Sequence, residues 1–192
     1  MSTVKIFHNE EEVFQSNISN IRDIVSFSVW RHQMTDIESE RYEKWLKQAF
    51  WFLVEDHNFK YDGYSDGHSD FISKKVKIRI EPGRKTPYIF IFLKDEPEFT
   101  RLTIFEVLQY FEGKPFEIDF QAHSLEYNLN FVANVIKSHV FIINNEIDQW
   151  WLSLHKSRYK ALEREYRDEG QLDVFLSSYK ELYEYLKRKS VI

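Results

Sequence analysis

The chain has 192 residues, 43% of them hydrophobic and 17% aromatic, with only 5 glycines and 4 prolines; this excludes a disordered protein and suffices for a buried core. It contains no cysteine, which excludes disulfides, thiolate metal sites and cysteine nucleophiles together. The net charge of −5 gathers in the middle, where residues 95–155 carry 10 acidic and 3 basic side chains; that balance speaks against a nonspecific nucleic-acid binder, which needs a basic footprint.

Met1–Glu12 holds no apolar stretch behind a basic start, so no signal peptide is expected. No run approaches the roughly 20 apolar residues of a membrane span, so a cytoplasmic protein is expected. Val4–His8 fits a short edge strand, and the polar stretch Asn9–Asn20 fits a helix or a loop. Ile18–Arg31 is ambiguous at first, but Val25, Phe27 and Val29 alternate with Ser26, Ser28 and Trp30, as in a strand.

Ser39–His57 reads as a helix. Tyr42, Trp45, Leu46, Ala49, Phe50 and Leu53 follow helical spacing, with Asp36 or Ser39 available to cap it. Trp51 and Phe52 widen its apolar face, so cover on more than one side is expected. Phe59–Tyr64 is extended and runs into a stretch rich in turn signals, Asp62-Gly63 and Asp66-Gly67. Ser73–Glu81 sets Val76, Ile78 and Ile80 on one face and Lys75, Lys77 and Arg79 on the other, the pattern of a half-buried antiparallel strand. Tyr88–Leu93 is apolar at every position, which predicts a central strand covered on both faces.

Thr103–Glu112 reads as a short helix closed by Gly113. Pro115–Gln121 alternates Phe116, Ile118 and Phe120 with Glu117 and Asp119, as in one more strand. From Ser124, a plausible N-cap, Leu125, Leu129, Val132, Ile136, Val140, Ile143, Ile147, Trp150 and Leu154 keep a three-to-four spacing. One helix over Ser124–Asp168 would run about 67 Å, beyond the roughly 40 Å diameter of a compact chain of this size. A break is expected at Asn144-Asn145 or Ser153–Ser157, where short polar side chains compete for backbone hydrogen bonds; otherwise the helix reaches out to a partner. A further helix, Leu172–Lys189, follows Gly170.

These elements describe an α+β fold: a small antiparallel sheet of about four or five strands, helices packed on one face, and a helical C-terminal third. The chain reads as one domain, mixed over residues 1–121 and helical over 122–192.

Four constellations carry candidate chemistry. Asp62, Asp66, His68 and Asp70 offer oxygen and imidazole ligands for a divalent cation. Counted as a calcium loop from Asp62, the acids at positions one, five and nine and Gly67 at six are in place, but Tyr64 and Ser73 stand at positions three and twelve. A solvated turn explains the same residues. Lys74, Lys75, Lys77, Arg79, Arg84 and Lys85 form a basic set that could track phosphates, although a lysine-bearing strand that deters edge pairing is the simpler account. His123, His139 and His155 fall at no metal-ligand spacing and read as surface or satisfied, partly buried histidines. The adjacent Trp150 and Trp151 point about 100° apart on a helix, so one of them is a candidate interface anchor.

No nucleophile elbow, phosphate-binding loop or dinucleotide fingerprint is present, and no cofactor is expected. The function expected is a non-enzymatic protein–protein binding module, in its sharp form an inhibitor or immunity-type protein that neutralises a basic partner. Glu117, Asp119, Glu146 and Asp148 would supply charge beside Trp150 and Trp151. The plainer form is self-association into a homo-oligomer. The alternative is a metal-dependent enzyme or metal-binding domain centred on residues 62–70.

Overall fold

The alternation of Val76, Ile78 and Ile80 with Lys77 and Arg79 places the middle strand of a five-stranded antiparallel sheet, and the rest of the fold is built around it. A computed structural model describes residues 3–8, 11–17, 36–83, 85–113 and 119–192. The sheet runs in the order β3 (Lys60–Ser65), β4 (His68–Ile72), β5 (Val76–Glu81), β6 (Tyr88–Leu93) and β7 (Leu102–Thr103). A separate two-stranded ribbon joins β1 (Thr3–His8) to β2 (Glu11–Asn17). The stretch Asn9–Asn20 therefore contains a strand, not the helix or loop its polarity suggests; pairing with β1 supplies its backbone hydrogen bonds. The strand expected within Ile18–Arg31 lies outside the described residues. So do residues 115–118 of the strand expected over Pro115–Gln121, and its far end runs into a turn of 3₁₀ helix, Phe120–Ala122.

The extended segment over Phe59–Tyr64 is strand β3, and β4 occupies much of the turn-rich stretch expected after it. Asp66 and Gly67 both take positive φ, 51° and 79°, the conformation of a two-residue type I′ hairpin loop. The hairpin closes between Ser65 and His68. Asp62-Gly63 is not a second turn. It sits inside β3, where the register shifts between Tyr61 and Tyr64 and Gly63 has a φ of 76°, as in a bulge that bends the strand.

One face of the sheet is covered by helices. These are α1 (Asp36–Phe50), the single turn α2 (Phe52–Glu55), α3 (Ile104–Glu112), α4 (Leu125–Asn145) and the first half of α5 (Ile147–Asp168). Tyr42, Leu46 and Phe50 of α1 pack with Val76, Ile78 and Ile80 of β5 and with Leu129, Val132 and Ile136 of α4 in the main core. The Tyr42 hydroxyl donates to the Ile80 carbonyl at 3.3 Å, and burial pushes its pKa well above the ordinary value.

The other face of β6 has a different cover. Phe90 and Phe92 are nearly inaccessible, but cations sit on their rings. Lys77 Nζ is 4.1 Å from the Phe92 ring centre, Arg79 is 5.3 Å from it, and Arg101 is 4.7 Å from Phe90. The run of apolar residues does mean two covered faces, and the second is roofed partly by charge.

The long helical segment breaks at the first of the two expected places, with Glu146 between α4 and α5. Two contacts pin the break to the β4–β5 turn: Ser73 Oγ donates to Asn144 Oδ1 at 2.7 Å, and Lys75 pairs with Asp148. Residues Ser153–Ser157 stay helical. The last helix also divides, at Tyr179, into α6 (Leu172–Ser178) and α7 (Lys180–Arg188). Tyr179 sits with its ring 5.1 Å from Phe175 and 6.1 Å from Tyr166. These helices and the second half of α5 enclose a smaller core of Tyr159, Leu162, Phe175, Leu182, Tyr185 and Leu186.

Thr103 ends β7 and caps α3. Its side chain accepts from the Glu106 amide, and Glu106 Oε2 accepts from the Thr103 backbone at 2.6 Å, a complete capping box. Replacing Thr103 with alanine is expected to cost about 1–2 kcal/mol, seen as an earlier urea midpoint with an unchanged slope.

Candidate binding cleft

The fold sets His68 beside Asp70 but does not gather the four candidate metal ligands into one group. Asp62 and Asp66 are exposed on β3 and its turn. His68 Nδ1 lies 3.4 Å from the Asp66 carbonyl, and its Nε2 is 3.7 Å from Asp70. Asp70 is already satisfied: Arg79, its cross-strand partner in register, donates Nε and Nη2 to the two carboxylate oxygens at 2.9 and 3.1 Å. A cation there would have to displace a bidentate guanidinium. Among the described residues, no three His, Asp or Glu side chains converge in a way that could hold a metal ion.

The candidate interface residues also scatter. Trp150 and Trp151 are both buried within the chain. The 100° separation holds, but both directions are covered. Trp150 meets Phe111 and Tyr110 of α3, and Trp151 meets His155 toward the smaller core. Asp119 and Asp148 are exposed, Glu146 is half-buried, and Glu117 lies outside the described residues. Nor do the central acids form a free acidic face. Glu96 pairs with Lys189, Glu98 with Arg79, Glu106 with Arg158 and Asp148 with Lys75, while Glu112 faces His139. The basic strand is likewise engaged, since Lys77 and Arg79 lie over Phe92 and beside Asp70.

What the fold assembles instead is a cleft of about 360 Å³ where the short strand β7 meets the C-terminal helices. This is within the size range of small-ligand sites. Phe90 and the 98–103 connection form one wall, and Tyr179, Glu181 and Leu182 of the α6–α7 bend form the other, with Glu106 and Arg158 between them. Glu106 is fully committed. Its Oε2 holds the Thr103 amide and hydroxyl, and its Oε1 lies 3.2 Å from Arg158 Nε. That ion pair falls outside hydrogen-bond geometry, so the buried Arg158 Nε–H is held by charge alone. Arg158 Nη1 donates to the Arg101 carbonyl at 3.3 Å. Arg101 itself makes no ion pair among the described residues; its one side-chain partner is the Phe90 ring.

Behind the cleft lies a group of buried polar atoms. His155 is 0% exposed. Its ring sits 4.8 Å from Trp151 and 6.2 Å from Tyr185. Neither imidazole nitrogen reaches hydrogen-bond geometry with a partner, nor do Trp151 Nε1 and Tyr185 Oη, although the Tyr185 hydroxyl lies close enough to Trp151 and Glu96 for both to bias its proton. Burial first, and the Arg158 charge second, push the His155 pKa down to about 3. A backbone group of Thr100 favours the charged ring slightly without reaching hydrogen-bond geometry. Burial and the nearby Glu96 push the Tyr185 hydroxyl up to about 12. His155 is therefore a neutral core residue, not the satisfied or surface histidine its spacing suggests, and it is a poor general base near neutral pH.

Sequence reasoning missed the cleft because its residues come from three distant segments. The Thr103–Glu106 capping box was a readable local signal, but Arg158 is 57 residues from Arg101. No protein-family model, no curated protein and no solved structure matches this chain.

Proposed function

We propose that this chain is a non-enzymatic protein-binding module whose partner engages the cleft and the two short C-terminal helices beside it. The observation that carries this reading is the cleft itself, charged at its base and lipped by an exposed aromatic: Phe99 is 40% exposed at its rim. Helix α6 adds Val174 and Leu176, both about half exposed. Large apolar side chains held beside a charged recess are the composition of an interface anchor. The titratable groups near the cleft support binding over proton transfer, because Glu106 is consumed by its cap and its arginine and His155 is sealed off and neutral.

The inhibitor or immunity-type form of the reading needs acidic charge facing a basic partner. With Glu96, Glu106 and Asp148 tied to cations of the chain itself, that charge falls at this end of the molecule to Glu98, 66% exposed beside Arg79, and Glu181 at the cleft, and to Asp173 and Glu184 on the same helices. The plainer form is self-association through this end of the molecule.

Native mass spectrometry of the full chain and capture from its native lysate test the proposal, with Phe99→Asp and Leu176→Asp as surface variants. Both positions are exposed, so the variants should melt like the parent. A partner, or a second copy, that is held by the parent and lost from the variants is the expected result. A monomer that retains the same proteins with and without the substitutions would falsify the reading.

A further inference from the structure

Resting on the binding-module reading, we propose that the cleft receives a carboxylate carried next to an apolar ring, as at the C-terminal residue of a partner chain ending in a large aromatic side chain. The base of the cleft has donors in excess of acceptors. Each guanidinium carries five N–H groups and no acceptor. The acceptors beside them are few: Glu106 Oε2 is taken by Thr103, Oε1 is shared with Arg158, and the Arg101 carbonyl accepts from Arg158. The Arg158 Nε–H is buried against Glu106 Oε1 at 3.2 Å without reaching hydrogen-bond geometry, so it belongs to that ion pair, and the N–H groups open to a ligand are those of Arg101.

Arg101 supplies the recognition fork. Its guanidinium lies over the Phe90 ring at 4.7 Å with no carboxylate partner among the described residues. A ring contact uses none of its N–H groups as hydrogen-bond donors to an oxygen, and the guanidinium fork matches a carboxylate in a bidentate pair. The apolar half of the ligand is met by Phe90, Phe99, Tyr179 and Leu182, which line the same space. A volume of about 360 Å³ suits one large side chain with its terminal carboxylate, not a longer segment.

The rim carries the opposite charge. The Glu98 side chain is 66% exposed and only loosely held by Arg79 at 3.4 Å, and Glu181 is exposed on the first turn of α7. These acids disfavour a second anion and suit a basic residue just upstream of the ligand's carboxylate. An acidic partner tail is disfavoured for the same reason.

The test uses the full chain and three probes: N-acetylphenylalanine, its C-terminal amide, and inorganic phosphate. Amide resonances of residues 99–103 and 178–182 and the arginine Nε–H signals are followed by NMR. The acid is expected to shift them saturably and to bind roughly tenfold or more tightly than the amide, the worth of one charge-assisted bidentate contact. Arg101→Gln should abolish that preference, and Arg101→Lys, which keeps the charge but loses the fork, should retain only part of it. Equal binding of acid and amide, an Arg101→Gln variant that keeps the preference, or silence with every probe would overturn the proposal. So would phosphate acting as strongly as the acid, since that would mark a site for a bare anion. Each of these outcomes can occur while Phe99→Asp still releases a captured protein, so this proposal and the binding-module reading fail separately.

Discussion

Replacing His155 with leucine is expected to flatten the acid side of the stability profile while leaving stability near pH 7.5 within about 1 kcal/mol of the parent. The folded chain binds a proton at His155 only near pH 3, against an ordinary value of 6.5 for the unfolded chain. Between those values the unfolded state holds more protons, so stability rises with pH across that window and is fully present above it. Read downward, the parent should lose roughly 2–3 kcal/mol through this one group between pH 7.5 and pH 4.5. The leucine variant should lose only what the carboxylates contribute. Urea midpoints for both proteins at several pH values give the difference directly. Leucine also removes two buried nitrogens that have no partner, which offsets part of the lost edge contact with Trp151. Parallel pH profiles for the two proteins would sink the assignment. A loss of several kcal/mol for the variant at pH 7.5 would show that the imidazole is hydrogen-bonded after all.

The same residue shows what the amino-acid pattern can and cannot disclose. His155 falls on the apolar side of α5, one position after Leu154, and its spacing alone describes a histidine at the edge of a helical stripe. Its complete burial depends on α7, which brings Tyr185 against it from the far end of the chain. Strands β5 and β6 were legible because their partners are close in sequence and their alternation is a property of single segments. Strand β4 was not. Ser69 and Asp70 look like turn residues until Arg79 stands opposite Asp70 and supplies its hydrogen bonds. The helix break was legible as two options, since both Asn144-Asn145 and the Ser153–Ser157 stretch are polar. The choice between them came from Ser73 and Lys75, about seventy residues upstream. The cleft belongs wholly to this class. The apolar segments that build its walls could be read, whereas Arg101 next to Arg158 is a consequence of how β7 meets α5.

Phe175→Ala tests how that junction is held. Phe175 is fully buried, with Tyr159, Tyr166 and Tyr179 at ring-centre distances of 5.1, 5.6 and 5.1 Å. Truncating a buried phenylalanine costs about 3–5 kcal/mol, through lost transfer free energy and the cavity left behind. The small core has six buried members among the described residues, so removing its central ring should not spread evenly. Helices α6 and α7 are short, seven and nine residues, below the length at which isolated helices persist in water. They should open before the sheet does. Hydrogen exchange is expected to accelerate at amides of residues 172–188 by a factor of a hundred or more, as about 3 kcal/mol implies, while the amides of β5 and β6 keep their protection. Because Tyr179, Glu181 and Leu182 form one wall of the cleft, the variant should also lose its preference for the acid probe although Arg101 and Phe90 are untouched. Uniform loss of protection in sheet and helices alike would show instead that the two cores fold as one unit through α5, and the cleft would then be as rigid as the sheet it borders.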